Sequence, residues 1–167
     1  ATQQLTAPGS TFKVVSSVAA VEEGAVSGLG ETIRCSGVFD KLAPTIHRCW
    51  VYPSAHGNMN VSSAIANSCN CYFYEVGFRL GSTGNGLSNE VGLEKLSEYA
   101  TMFGLGNKSG LETEESEPQI SDQTVVPSAI GQGSHNYTVS QIARYVTTIA
   151  NGGTCYNLSL LNKVSDS

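Results

Sequence analysis

The apolar residues of this chain recur at helical spacing in about five places and alternate strictly in very few. This predicts a mainly α fold with few short strands. The first helix is expected over Thr11 to Glu23. There Phe12, Val14, Val15, Val18, Ala19 and Val21 are dense enough to be buried on most faces, and Gly24 with Gly28-Leu29-Gly30 stops it. A short helix over Asn60 to Asn67, capped by Asn60, is followed by the turn Ser68-Cys69-Asn70. A helix over Cys71 to Leu80 then puts Tyr72, Phe73, Val76 and Leu80 on one side. Glu90 to Phe103 carries Leu93, Leu96, Ala100 and Phe103 at helical spacing, and Gly104 ends it. The last helix opens on the capping box Thr138-Val139-Ser140-Gln141, with Val139, Ile142, Ala143, Val146, Ile149 and Ala150 as its expected core face and Asn151-Gly152-Gly153 as its stop.

Between these helices the pattern is irregular. Residues 31–57 hold Pro44, Pro53 and the only tryptophan, Trp50, with strand-like pieces at Thr32-Ile33-Arg34 and Cys49-Trp50-Val51-Tyr52. Gly81 to Asn89 reads as a Gly- and Asn-rich loop. Leu105 to Val126 is acidic and broken, and Glu112, Glu114, Glu115 and Glu117 before Pro118 are expected to be a solvated loop. The tail, Thr154 to Val164, looks like a strand. No internal repeat or low-complexity tract interrupts what reads as one domain, residues 1–167, with a core of its own.

Composition narrows the function classes. Charged residues are 14% of the chain and the net charge is −5, with no basic stripe, so no nucleic-acid partner is expected. No apolar run approaches a membrane span and no signal peptide is visible. The chain starts at Ala1 and stops at Ser167 without signals of its own, which reads as a piece of something longer. Of the five cysteines, Cys35 and Cys49 could pair across a loop, whereas Cys69 and Cys71 are too close for an easy bridge; mostly buried free thiols are the expectation. No Cys/His spacing fits a zinc site, and His47, His56 and His135 are expected to be structural.

The candidate chemistry begins at Pro8-Gly9-Ser10-Thr11-Phe12-Lys13. Ser10 before an apolar run is ordinarily an N-cap. Here the first turn carries Lys13 where the helix dipole favours acids. An ammonium among valines at a helix N-terminus has its pKa pushed down, and a lysine kept neutral three residues after a serine is a base beside a nucleophile. Ser68-Cys69-Asn70 has an equally plain reading as turn residues. Together with Ser10 and Lys13 it supplies a second hydroxyl to relay a proton and a carboxamide to hold a peptide group, which are the parts of an acyl transfer.

This set of motifs resembles the transpeptidase domain of class B penicillin-binding proteins. The resemblance runs through Pro8 to Lys13, His56-Gly57, Ser68-Cys69-Asn70, Phe103-Gly104-Leu105-Gly106, Ile130-Gly131-Gln132-Gly133 and Ile149-Ala150-Asn151-Gly152-Gly153. It implies the helical subdomain of the penicillin-binding protein and serine β-lactamase-like α+β fold, with most of the central sheet absent. It implies Ser10 as the acylated nucleophile on D-Ala-D-Ala stem peptides, Lys13 as base, Ser68 as proton relay, and Asn70 as the group that binds the substrate amide and orients Lys13. The Ser10 backbone N–H would be half of the oxyanion hole. β-Lactams would trap Ser10, and no metal or organic cofactor is implied. The parent protein would be membrane-anchored, working at the extracytoplasmic face of the bacterial membrane with other cell-wall synthesis proteins.

One part of the pattern departs. The family's third motif, Lys-Thr/Ser-Gly on a core strand, should come after the Asn-Gly-Gly stop. The candidate Lys108-Ser109-Gly110 comes before it and leads into the acidic loop, so it is rejected. Losing one oxyanion donor alone costs roughly 3–4 kcal/mol of barrier, so residues 1–167 by themselves are expected to be inactive. A β-lactamase would need a carboxylate base for water, and no Glu stands in a recognisable position. A lactam-sensing domain and a D,D-carboxypeptidase share the motifs; a glutaminase shares S-x-x-K but not the later Gly motifs. A non-catalytic helical module, with Ser10 only a cap, is the alternative from a different class.

Overall fold

A computed structural model gives the fold and describes residues 1–162. In chain order it contains β1 (Leu5–Thr6), a 3-10 turn (Gly9–Phe12) running into α1 (Lys13–Glu22), β2 (Ile33–Cys35), β3 (Val38–Leu42), β4 (Thr45–Arg48) and β5 (Gly57–Met59). After these come α2 (Val61–Ala66), α3 (Asn70–Leu80), β6 (Ser82–Thr83), β7 (Gly86–Leu87), α4 (Asn89–Met102), α5 (Val125–Ser128), β8 (Tyr137–Thr138) and α6 (Val139–Ala150). The strands pair two by two and antiparallel: β1 with β8, β2 with β5, β3 with β4, β6 with β7. The fold is mostly helical with few short strands, as the spacing predicts.

Helix α1 is the centre. It packs on α3 and α4, and α3 packs in turn on α5. Phe12, Val15, Ala19 and Ala20 are fully buried, as are Tyr72, Phe73 and Val76 of α3 and Leu96 and Ala100 of α4. Each such large apolar side chain contributes about 1.5–3 kcal/mol, so the turn that precedes α1 is mounted on the best-packed part of the molecule. None of the described helices is long and apolar enough to cross a membrane.

Four expectations are corrected. Cys49 to Tyr52 is not a strand: Tyr52 N–H bonds Cys49 O (3.1 Å) and Ser54 N–H bonds Val51 O (3.0 Å), so the backbone donors are spent in consecutive turns. The tail from Thr154 to Asn162 forms no strand either, pairing by its backbone at one point, Leu158 N–H to Ser109 O (2.8 Å); residues 163 and 164 lie outside the described residues.

Helix α6 starts where its capping box predicts, with Gln141 N–H on Thr138 Oγ1 and Thr138 N–H on Gln141 Oε1. The face it buries is the other one. Val139, Val146 and Ile149 are 54%, 47% and 38% exposed, while Gln141, Arg144, Tyr145 and Thr148 are buried. Most of those polar groups find partners inside: Arg144 Nη2 donates to the Gly104 and Asn107 carbonyls and the Tyr145 hydroxyl to Thr11 O (2.7 Å), while Arg144 Nε is buried without a partner among the described residues. Within the acidic stretch Glu115 is buried rather than solvated. Desolvation pushes its carboxyl up, but hydrogen bonds from Ser140 Oγ, Ser109 N–H and Oγ, and Thr138 Oγ1 outweigh that and leave its pKa lowered.

His135 holds the other side of Phe12, ring centroids 4.1 Å apart. Its Nε2–H donates to Ser128 O (3.1 Å) and its Nδ1 accepts from Ser121 N–H (3.0 Å), so the neutral ring is fully used. Burial lowers its pKa from 6.5 to about 4, against the opposing pull of the Ser128 carbonyl. Between those values the unfolded chain binds a proton that the folded chain refuses. Stability is therefore full above about pH 6.5 and falls as the pH drops toward 4, by about 3 kcal/mol in all. Urea titrations at intervals across that window are expected to show this slope in the native chain and a flatter one in His135→Gln. Equal slopes would remove His135 as the cause.

Candidate active site

Ser10 is not a cap. It lies inside the 3-10 turn, makes no capping hydrogen bond, and is exposed. The turn is pinned from three sides by the segment before α6 and by α6 itself. Gly9 N–H donates to Gly131 O (3.1 Å), Phe12 rests on His135, and Tyr145 holds Thr11 O. Gly131 has φ +77, and a Cβ there would fall inside the van der Waals radius of the Gly9 carbonyl oxygen.

Lys13, the first residue of α1, is 1% exposed. Its Nζ donates to Ser68 O (2.9 Å), Ser68 Oγ (2.9 Å) and Asn70 Oδ1 (2.6 Å), and stands 5.6 Å from the Phe73 ring centroid. Burial lowers its pKa from 10.5 to about 8, with negative charge on Cys49 and Cys69 pulling the other way. Ser68 Oγ in turn donates to Ser10 Oγ at 3.0 Å. The link from serine to lysine thus runs through the second serine, and none of the three Nζ bonds goes to Ser10.

The Ser68 turn is built by α2. Asn60 and Ser63 form its capping box, and at its far end Ser68 N–H bonds Ile65 O (3.0 Å) and Cys69 N–H bonds Ala64 O (2.9 Å). This is a Schellman ending, whose next residue past the cap is usually glycine in the left-handed region. Here that residue is Ser68, at φ +48 and without a counterpart among the described non-glycine residues. The conformation costs of order 1–3 kcal/mol for a residue with a Cβ. It aims the hydroxyl at Ser10 and Lys13, and a serine where glycine belongs is a signal that can be read from the sequence. Asn70 follows as the first residue of α3, so its amide is set by a helix start.

The rejected Lys108-Ser109-Gly110 is engaged elsewhere. Lys108 pairs with Glu117 (2.8 Å), and Ser109 is fully buried on Glu115. A second cluster escaped spacing arguments because its members come from four separate segments. The ligand atoms of Cys35, Cys49, His56 and Cys69 lie within 4.8 Å of one another, and these residues could hold a metal ion. The cysteines are free, four buried and Cys155 exposed.

The family profile describing the penicillin binding protein transpeptidase domain matches residues 1–167. The chain is 31% identical over 160 residues to the stage V sporulation protein D of Bacillus subtilis, covering 89% of this chain and 22% of that protein. It is 29% identical over 170 residues to the peptidoglycan D,D-transpeptidase MrdA of Acinetobacter baumannii, covering 92% and 23%. In three dimensions it superposes on the penicillin-binding protein PBP2 of Helicobacter pylori with a TM-score of 0.81 at 25% identity, over 95% of this chain and 30% of that one. That protein is also known in complex with MreC. The chain spans less than a quarter of the length of these two curated relatives. Matched from end to end by the profile and folded like such a protein over nearly its whole length, the chain belongs to the penicillin-binding protein transpeptidase domain family, with class B proteins as its relatives.

Proposed function

We propose that this chain carries the acyl-transfer residues of a peptidoglycan D,D-transpeptidase, with Ser10 as the nucleophile. The observation that supports this best is the hydrogen-bonded line from an exposed Ser10 through Ser68 to a sealed Lys13. With a pKa near 8, roughly a tenth of Lys13 is neutral at pH 7, against less than about a thousandth for an ordinary lysine. In the neutral form Nζ takes the Ser68 proton while Ser68 takes that of Ser10. The Ser10 oxygen bonds to the carbonyl carbon of the penultimate D-Ala, and the C–N bond to the terminal D-Ala breaks. The departing nitrogen recovers the proton from Lys13 by way of Ser68. An amine from a neighbouring strand then displaces Ser10 by the same route reversed, giving the crosslink.

Asn70, its oxygen held by Lys13, offers its N–H2 to the substrate amide, and the Ser10 N–H faces the developing oxyanion. β-Lactams would acylate Ser10 in place of the D-Ala-D-Ala amide. Water as acceptor would give carboxypeptidase activity instead. The reading places the parent protein at the extracytoplasmic face of the membrane, anchored there, beside partners of the kind seen with the Helicobacter protein.

Residues 1–167 are, in this reading, one partial domain, the helical part. The exposed apolar face of α6 supports it: Val139, Val146 and Ile149 have the spacing of a packed face yet stand about half exposed among the described residues. The carboxylate-binding strand is not in this sequence, so acylation by residues 1–167 alone is expected to be slower by at least two orders of magnitude than in a complete domain. Intact mass after incubation with labelled penicillin tests both statements. The complete domain should gain one adduct, absent in Ser10→Ala, and residues 1–167 should gain none on the same timescale. An adduct on the complete domain that survives Ser10→Ala sinks the assignment of the nucleophile. Rapid labelling of residues 1–167 would show that the strand is dispensable.

A further inference from the structure

Tyr145 stands on α6, is fully buried, and its ring meets that of Phe103 edge to face at 5.7 Å. Burial pushes its phenol above the ordinary value of 10, so the hydroxyl keeps its proton at neutral pH. The hydroxyl donates to Thr11 O (2.7 Å), and the Val15 N–H hydrogen-bonds the phenol oxygen. A phenol has one hydrogen to give and lone pairs to receive, so both bonds can be made at once.

Thr11 and Val15 are four residues apart. In an α-helix that carbonyl and that N–H bond each other. Here the phenol oxygen serves both, as an inserted side chain does where a helix ladder is opened. The chain around it is wound more tightly than an α-helix. Residues 9–12 are a 3-10 turn, Lys13 N–H bonds Ser10 O three residues back, and α1 begins only at Lys13.

The winding decides where the side chains stand. With three residues per turn, positions i and i+3 eclipse; with 3.6 they are about 60° apart. Ser10 and Lys13 are such a pair. The 3-10 form sets one above the other, and Ser68 Oγ bonds both, Lys13 Nζ at 2.9 Å and Ser10 Oγ at 3.0 Å.

We propose that Tyr145 is a positioning residue: its phenol, inserted between Thr11 O and Val15 N–H, holds residues 9–12 in 3-10 form and keeps Ser10 in line with Lys13. It acts through the backbone of the turn and touches neither the base nor the relay. The effect on acyl transfer rests on the reading of Ser10 as nucleophile; the winding of the turn does not.

Tyr145→Phe in the complete transpeptidase domain removes one oxygen and keeps the ring. Thr11 O and Val15 N–H are then free to bond each other, so the variant folds and the turn rewinds as α. In its crystal structure residues 9–12 are expected in α form, with Ser10 Oγ out of hydrogen-bond reach of Ser68. Acylation by penicillin should slow at least about tenfold, since a displacement near 1 Å at a reacting atom costs about a hundredfold. Its midpoint in pH should stay near 8, because Lys13 keeps its burial. Tyr99→Phe is the comparison. It deletes a hydroxyl of the same kind, bonded to Glu23 Oε1 at 2.9 Å, and should acylate at the native rate. A 3-10 turn that survives in Tyr145→Phe overturns the proposal, and so does acylation of that variant at the native rate. An equal loss in Tyr99→Phe overturns it too, since general loosening would then suffice. A native domain acylated elsewhere than on Ser10 sinks the nucleophile reading instead, and the crystal structure of Tyr145→Phe still decides the winding of the turn.

Discussion

Lys13→Met in the complete transpeptidase domain is expected to slow acylation of Ser10 by penicillin by roughly two to four orders of magnitude and to abolish its rise with pH. Methionine keeps the length and buried stem of the lysine and removes the nitrogen on which Ser68 Oγ, Ser68 O and Asn70 Oδ1 converge. In the proposed mechanism the Ser10 proton then has no destination. In the native protein the rate should climb with pH and level off above about 8, because the reactive form of Lys13 is the neutral one and burial has brought its pKa down to about 8. The same burial means that the ammonium is held against a penalty. A drop from 10.5 to about 8 corresponds to about 3 kcal/mol at neutral pH, which methionine does not carry. The variant should therefore melt no lower than the native protein while being nearly inert. A merely structural lysine predicts the opposite pair, lost stability with activity retained in the folded fraction. Retained pH dependence in Lys13→Met would transfer the role of base to another group.

Local chemistry was legible wherever one segment sufficed to settle it. The Thr138–Gln141 capping box, the Asn60 cap and the apolar sides of α3 and α4 stand where spacing puts them, because each rests on contacts within a turn or two. Helix α6 shows the limit. Its apolar stripe is real, but periodicity says only that two faces differ. Which face turns inward depends on what is available to pack, and here the inward face is polar and held by the bonds of Arg144 Nη2 and the Tyr145 hydroxyl. The hairpin β3–β4 and the turns after Cys49 lacked a period long enough to read.

The candidate site divides in the same way. Ser10 and Lys13 are one helical turn apart, so their proximity is a property of the backbone. That Ser68 stands between them, and that Asn70 rather than Ser10 takes the third Nζ bond, depends on the packing of α2 and α3 against α1. The cysteine–histidine cluster was illegible for a stronger reason. Spacing rules for metal ligands describe pairs on one hairpin or helix turn, whereas these four side chains come from β2, the turn after β4, the segment before β5 and the start of α3.

Gly131→Ala is the second large effect expected. Gly131 sits at φ +77, where a Cβ is strained, and its Cβ would overlap the Gly9 backbone. Strain and clash together cost about 2–5 kcal/mol, equivalent to a fall of roughly 5–15 °C in melting temperature for a chain of this size. Gly9→Ala separates the two contributions. Gly9 also has a positive φ, +56, but nothing lies within 4 Å of its would-be Cβ, so that variant should show strain alone, about 1–2 kcal/mol. Relief of the Gly131 clash requires Gly9 to move, and Gly9 is joined to Ser10. The Ser10 oxygen then leaves the 3.0 Å contact with Ser68, and a displacement near 1 Å at a reacting atom costs about a hundredfold in rate. Measured at a temperature where both variants are folded, acylation should therefore fall far more in Gly131→Ala than in Gly9→Ala. Equal losses in the two would mean that the carbonyl–amide contact between Gly9 and Gly131 does not position the nucleophile.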